Sequence, residues 1–183
     1  MICHKHRAIF IHIPKTGGTS VEAVMTGHDW WRYGEHPKHS GVRALLGKRY
    51  TTDLWNSYFK FTIIRNPWNR VYSAWQFGKN TIGAQLPFKQ FIQSGNLPRQ
   101  QCSLLYDHDL RIRFDSILKF EEFPDNFAAM YESQWGRQLN KIPHKNPTAS
   151  KNYFHHYDEE TAGLVADRYM DDIDLGDYTF GSK

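Results

Sequence analysis

The fold turns on one stretch, Arg7-Ala8-Ile9-Phe10-Ile11-His12-Ile13-Pro14-Lys15-Thr16-Gly17-Gly18-Thr19-Ser20. Arg7 to Ile13 is nearly continuous apolar sequence, which predicts a strand buried on both faces. Pro14 stops that strand, two glycines follow, and Val21 to Met25 can be helical. The unit is strand, glycine loop, helix. The amides that open such a helix have no partner within it, and the helix dipole adds positive potential there. Gly17 and Gly18 let the main chain approach a phosphate closely. Thr16, Thr19 and Ser20 add hydroxyl donors, and Lys15 adds a full charge. A Walker loop places its lysine after the glycines, as G-x-x-x-x-G-K-[ST], whereas Lys15 precedes them. The competing reading is a plain strand-to-helix turn, for which a lysine and three hydroxyls are more than the geometry needs.

Working outward, Tyr58 to Ile64 reads as a second strand that runs into Arg65-Asn66-Pro67. Pro67 suits the first turn of a helix from Trp68 to about Phe77. Asp115 to Phe120 reads as a third strand. Pro124-Asp125 opens a helix that Gly136 terminates. Short helices are expected at Val42 to Leu46 and Phe88 to Gln93, and a loop from Lys141 to Tyr157. Asp158 caps a last helix that extends to about Met170, with Glu159 and Glu160 in its first turn. The alternation predicts an α/β fold: one domain over 1–183, with a central parallel sheet flanked by helices and a P-loop-like strand-loop-helix. Ligands of such sheets bind beyond the carboxyl ends of the strands.

Arg65 falls at such an end. Arg70, Ser73 and Phe77 share one face of the following helix. Arg65 is a natural bidentate phosphate partner and Ser73 a natural hydroxyl donor. The alternative pairs Arg65 with a carboxylate and makes Ser73 a small packing residue. Two anion sites imply a ligand with two separated phosphate-like groups.

The 183 residues are 40% apolar, 23% charged and 15% aromatic, as expected of a globular chain and not of a disordered one. A net charge of +4 suits an anionic ligand but does not indicate nucleic-acid binding. No apolar run approaches the ~20 residues that span a bilayer, and no signal-peptide core follows the basic start, so a cytoplasmic location is the expectation. Two cysteines are too few for a disulfide framework. Cys3, His4 and His6 lack a second ligand pair at zinc spacing, and no metal is expected.

His12-Ile13-Pro14-Lys15-Thr16-Gly17-Gly18-Thr19-Ser20 resembles the 5′-phosphosulfate loop of PAPS-dependent sulfotransferases. Ile64-Arg65-Asn66-Pro67-Trp68-Asn69-Arg70-Val71-Tyr72-Ser73-Ala74-Trp75 resembles their 3′-phosphate motif. The wording is closest to the carbohydrate (Golgi-type) branch and its bacterial relatives. Phe120-Glu121, Pro143-His144-Lys145-Asn146 with Asp158-Glu159-Glu160-Thr161, and Asp174-Leu175-Gly176-Asp177-Tyr178 are similar to further family segments. The resemblance implies transfer of a sulfuryl group from PAPS to an acceptor hydroxyl, that of a saccharide, with release of PAP. It implies that Lys15 contacts the bridging oxygen and leaving phosphate. Thr16, Gly17, Gly18, Thr19 and Ser20 would hold the 5′-phosphate, and Arg65 and Ser73 the 3′-phosphate. Trp75 stands where the family often has Tyr, and Asn69 where it often has Asp. A family loop before the last helix closes over the nucleotide, which makes Lys151 a candidate phosphate contact, with a solvated loop lysine as the alternative.

In-line transfer needs a base for the acceptor proton and a cation for the leaving oxygen. Glu35-His36-Pro37-Lys38-His39-Ser40 resembles the histidine-bearing segment of the uronyl-type branch. His39 is the first choice of base, His36 the second, and Glu22 the carboxylate competitor. His12 is expected to pack. Trp30, Trp31, Tyr33 and Trp55 are candidate stacking faces, with core packing as the alternative. A P-loop-like nucleotide kinase and a non-catalytic PAP or anion-binding protein are the competing functions.

Overall fold

The apolar run after Arg7 forms a strand in which every residue is buried, Ala8–Ile11 (β2). In the computed structural model, which describes residues 1–27, 38–82, 86–143 and 152–181, the chain groups into two compact units. One contains residues 1–64 and 101–146, the other residues 65–100 and 147–183.

The first unit carries a four-stranded sheet in the order β1-β2-β3-β4, with β1 Ile2–Cys3, β3 Phe59–Ile64 and β4 Ser116–Lys119. β2 runs parallel to β3, with Ala8 opposite Phe59 and Ile11 opposite Thr62. β3 runs parallel to β4, with Phe61 opposite Ser116 and Ile64 opposite Lys119. The sheet is thus mostly parallel, as expected, with one antiparallel addition at its edge. A 3-10 turn at His4–His6 ends in Arg7, whose φ of 49° is left-handed, and this folds Ile2–Cys3 back beside Ala8 and Ile9. The same turn shortens β2 relative to the expected start at Arg7.

Helix α1 (Gly18–Thr26) follows β2, and short helices α2 (Val42–Leu45) and α3 (Thr52–Ser57) precede β3. Helix α6 (Cys102–Leu105) precedes β4, and α7 (Asp125–Trp135) follows it. Gly136 ends α7 as expected, at φ 63° with its N–H donating to the Glu132 carbonyl. Val21 and Met25 of α1 and Phe127 and Tyr131 of α7 share one core with Ala8, Phe10, Phe61 and Ile63 of the sheet. Ile9, Ile11 and Ile64, from the alternate positions, are equally buried. Both faces are therefore covered, the usual state of parallel strands.

The second unit is helical: α4 (Pro67–Ile82), α5 (Phe88–Gln93), a 3-10 turn at Tyr153–His156, α8 (Glu159–Arg168) and α9 (Met170–Gly176). Asp158 caps α8, accepting from the Thr161 N–H at 2.8 Å while the Thr161 hydroxyl accepts from the Asp158 N–H at 3.0 Å. The last helix was expected to extend to about Met170, and α8 ends close to there; Tyr169, whose hydroxyl donates to the Pro98 carbonyl at 2.6 Å, separates it from the further helix α9.

Among the described residues no helix is long and apolar enough to cross a membrane.

Candidate functional site

The glycine loop is shaped by its backbone. Lys15 (φ 70°) and Gly17 (φ 77°) both adopt the left-handed conformation, and α1 begins at Gly18. Alternating handedness of this kind turns successive N–H groups inward to form an anion-binding concavity. A lysine held there costs on the order of 1–3 kcal/mol, a strain typical of functional loops. Gly17 needs glycine twice over, for its φ and because a Cβ would sit 3.0 Å from the Phe120 ring. Gly18 needs it because a Cβ would run into the His12 imidazole. The Thr16 hydroxyl donates to the Ile13 carbonyl at 2.9 Å and the Ser20 N–H to the Gly17 carbonyl at 3.0 Å, bracing the loop from within. Thr16 is wholly buried, so its hydroxyl braces the turn and is not presented outward. Thr19 is half-buried in the first turn of α1.

Beneath the loop lies a carboxylate. Glu22, with 0% exposure, accepts from His12 Nδ1 at 2.7 Å on Oε1, and its Oε2 forms an ion pair with Lys38 Nζ at 3.0 Å. Lys38 Nζ also donates to the Thr19 hydroxyl at 3.3 Å. Burial pushes the Glu22 carboxyl up, but the hydrogen bonds and charges of His12 and Lys38 outweigh it, and the net position is below the usual carboxylate range. Burial pushes the His12 imidazole down to about 4 against the opposing pull of Glu22, so His12 is neutral at pH 7. A carboxylate only accepts, which places the His12 proton on Nδ1.

His39 stands over this pair. Its Nδ1 lies 3.2 Å from the His12 carbonyl, and the two imidazoles meet edge to face at 4.7 Å between centroids. A carbonyl also only accepts, so His39 donates to it from Nδ1. His39 is exposed. An exposed imidazole held against a main-chain carbonyl beside the loop has the chemistry to take a proton from an incoming hydroxyl.

The second expected anion site lies in the other unit and is built around the start of α4. Asn66 Oδ1 accepts from the N–H groups of Trp68 at 3.1 Å and Asn69 at 3.4 Å, and the Asn66 carbonyl accepts from the Arg70 N–H at 2.8 Å. Asn66 is therefore the N-cap, and Pro67 takes the first helical position, where its missing N–H costs nothing. Arg65 precedes the cap. It is 2% exposed and donates from Nη2 to Asn69 Oδ1 at 2.8 Å. This contact with a carboxamide helps to orient the guanidinium. Ser73, one turn beyond Asn69, is wholly buried. Arg70 is buried as well. Burial lowers its pKa, opposed by the charges of Tyr169 and Asp172, so it braces the helical unit.

His36 and Lys151 lie outside the described residues, as do Trp30, Trp31 and Tyr33. Trp55 is buried and meets Phe114 edge to face at 6.0 Å, so it packs in the core. Cys3 and His6 are 3.2 Å apart, but His6 also bonds the Tyr131 hydroxyl at 2.8 Å and His4 the Tyr58 hydroxyl at 2.7 Å. Sequence reasoning missed two things: the carboxylate beneath the loop and the lysine joined to it. Glu22 read as a competing base, and Lys38 only as part of the histidine-bearing segment. The available signal was a polar pair, His12 and Glu22, flanking a strand-loop-helix turn.

The sequence profile described as Sulfotransferase family matches residues 1–179. Carbohydrate sulfotransferase 10 of Danio rerio is 33% identical over 97 residues, covering 43% of this chain and 25% of the relative. The match thus spans about a quarter of that curated relative's length. No solved structure matches the chain.

Proposed function

The chain belongs to the sulfotransferase family, and on that premise we propose that it transfers a sulfuryl group from PAPS to a hydroxyl of a saccharide, releasing PAP. Residues 1–183 act as one sulfotransferase domain in this reading. The observation that carries it is the His39 Nδ1 bond to the His12 carbonyl, which sets an exposed imidazole at the foot of the strained loop. The saccharide follows the name of the carbohydrate sulfotransferase relative.

PAPS supplies an activated sulfuryl group between two phosphate-bearing ends. The loop from Lys15 to Ser20 fits its 5′ end: left-handed turns at Lys15 and Gly17, no Cβ at Gly17 or Gly18, and a helix start beyond. In this reading Lys15 neutralises charge on the leaving phosphate oxygen. Gly17, Gly18 and Thr19 contribute amides, Thr19 its hydroxyl, and Thr16 and Ser20 hold the turn. Arg65 and Ser73 bind the 3′-phosphate, and Lys151 approaches a phosphate from the loop before α8. His39 Nε2 takes the acceptor proton as the new S–O bond forms and the S–O bond to the leaving phosphate breaks. His36 is the reserve base.

The test is label transfer from PAPS to a panel of saccharide, phenolic and lipid hydroxyls. A saccharide is expected to be labelled, and His39→Ala is expected to lower turnover by ~10²–10⁴ with PAP affinity nearly unchanged. Unchanged turnover removes His39 from the role. Absence of transfer to any acceptor with PAP binding intact supports a non-catalytic binder.

A further inference from the structure

Four residues of the first unit close a ring. Glu22 accepts from the His12 side chain at 2.7 Å. The His12 main chain accepts from His39 at 3.2 Å. His39 is joined by a peptide bond to Lys38, and Lys38 returns to Glu22 at 3.0 Å. A spur runs from Lys38 to the Thr19 hydroxyl at 3.3 Å. The ring ties together the end of β2, the first turns of α1 and the segment that carries His39.

Glu22 is the node where these ties meet. One carboxylate oxygen accepts from His12, the other lies in an ion pair with Lys38, and the side chain has no exposure, so it cannot meet an acceptor sugar. A charge is expensive to bury and is kept where it is paired and hydrogen-bonded. Here its two partners control the placement of two different parts of the site. Through His12 it fixes the carbonyl that meets His39 Nδ1. Through Lys38 it fixes the residue next to His39 and a hydroxyl of the glycine loop.

We propose that Glu22 is a positioning residue, holding the base His39 in register with the glycine loop through the His12 hydrogen bond and the Lys38 ion pair. This rests on the assignment of His39 as base. Glu22 sets where the proton acceptor stands and does not itself exchange a proton with substrate.

The experiment is a double-mutant cycle on turnover, with PAP affinity and thermal melting measured for every variant. Glu22→Gln keeps the shape and removes the charge. It is expected to lower kcat by ~10–100-fold and to change PAP affinity by less than ~3-fold. In the His39→Ala background the same substitution is expected to have no further effect on kcat, because the group it positions is gone. A merely structural role would not produce that loss of additivity. Losses that multiply, or an unchanged kcat in Glu22→Gln alone, overturn the proposal. An unaffected His39→Ala overturns the base assignment, a separate result read from a separate variant. Should Glu22→Gln fail to fold, Lys38→Gln is read in the same cycle with the same two expectations.

Discussion

His12 Nδ1 lies 2.7 Å from Glu22 Oε1, and this bond joins the end of the second strand to the helix that opens the glycine loop. The carboxylate must stay ionised for this contact, and burial opposes charging of the imidazole. The geometry of the loop is therefore tied to two protonation equilibria.

The first consequence is an acid limit on stability. The folded-state pKa of His12, about 4, lies below its ordinary 6.5, so the fold favours the neutral form. That contribution is complete above pH 6.5 and is lost as pH falls from 6.5 towards 4. At about 1.4 kcal/mol per unit the loss is on the order of 3 kcal/mol. Glu22, held below its usual range, adds a loss of the same sign at still lower pH. Denaturant unfolding from pH 7.5 to 4 should show the decline, and His12→Asn should flatten it across 6.5 to 4. An equal slope in both proteins contradicts this account.

Gly18 faces the ring of that histidine, with no room for a Cβ. Gly18→Ala is expected to cost about 1–3 kcal/mol by overpacking and to weaken PAP binding. Adding His12→Ala should recover part of the stability but none of the turnover, since it also removes the Glu22 bond. Melting temperature and label transfer on the single and double variants check this directly.

Lys15 trades stability for charge. Its φ of 70° is easy for glycine and strained for lysine. Lys15→Gly should therefore be more stable than Lys15→Ala by about 1 kcal/mol. Both variants should lose turnover alike, because both lack the ammonium. Equal stabilities would show that the loop carries no strain at this position.

Arg65 is held by Asn69 at the start of α4. Arg65→Lys keeps the charge and loses the planar fork, so PAP affinity should fall about 10-fold or more. Arg65→Ala should weaken it further, with an added stability loss from the buried void. Calorimetry on the two variants separates the fork from the charge.

The elements written by local chemistry were legible in the sequence. Apolar continuity marked β2 and β3, Gly136 marked the end of α7, and Asp158 the start of α8. Pro67 and the two loop glycines were legible for the same reason, since each has a conformational role of its own. What escaped depended on partners distant in the chain. Tyr169 separates α8 from the further helix α9 while its hydroxyl is bound to the Pro98 carbonyl, on a separate segment. Arg7 turns left-handed beside a two-residue edge strand too short to register as a pattern. Glu22 is charged and sits on a helix, which ordinarily means solvent. Only the fold brings His12 and Lys38 to its two oxygens. Buried ion pairs of this kind carry no periodic signature.

The most direct measurement is a calorimetric titration of the protein with PAP. One binding site is expected on the parent, weakened at least ~10-fold in Lys15→Ala and in Arg65→Ala, each of which removes a charge-assisted phosphate contact. No binding heat at millimolar PAP, or equal affinity in all three proteins, would contradict the account.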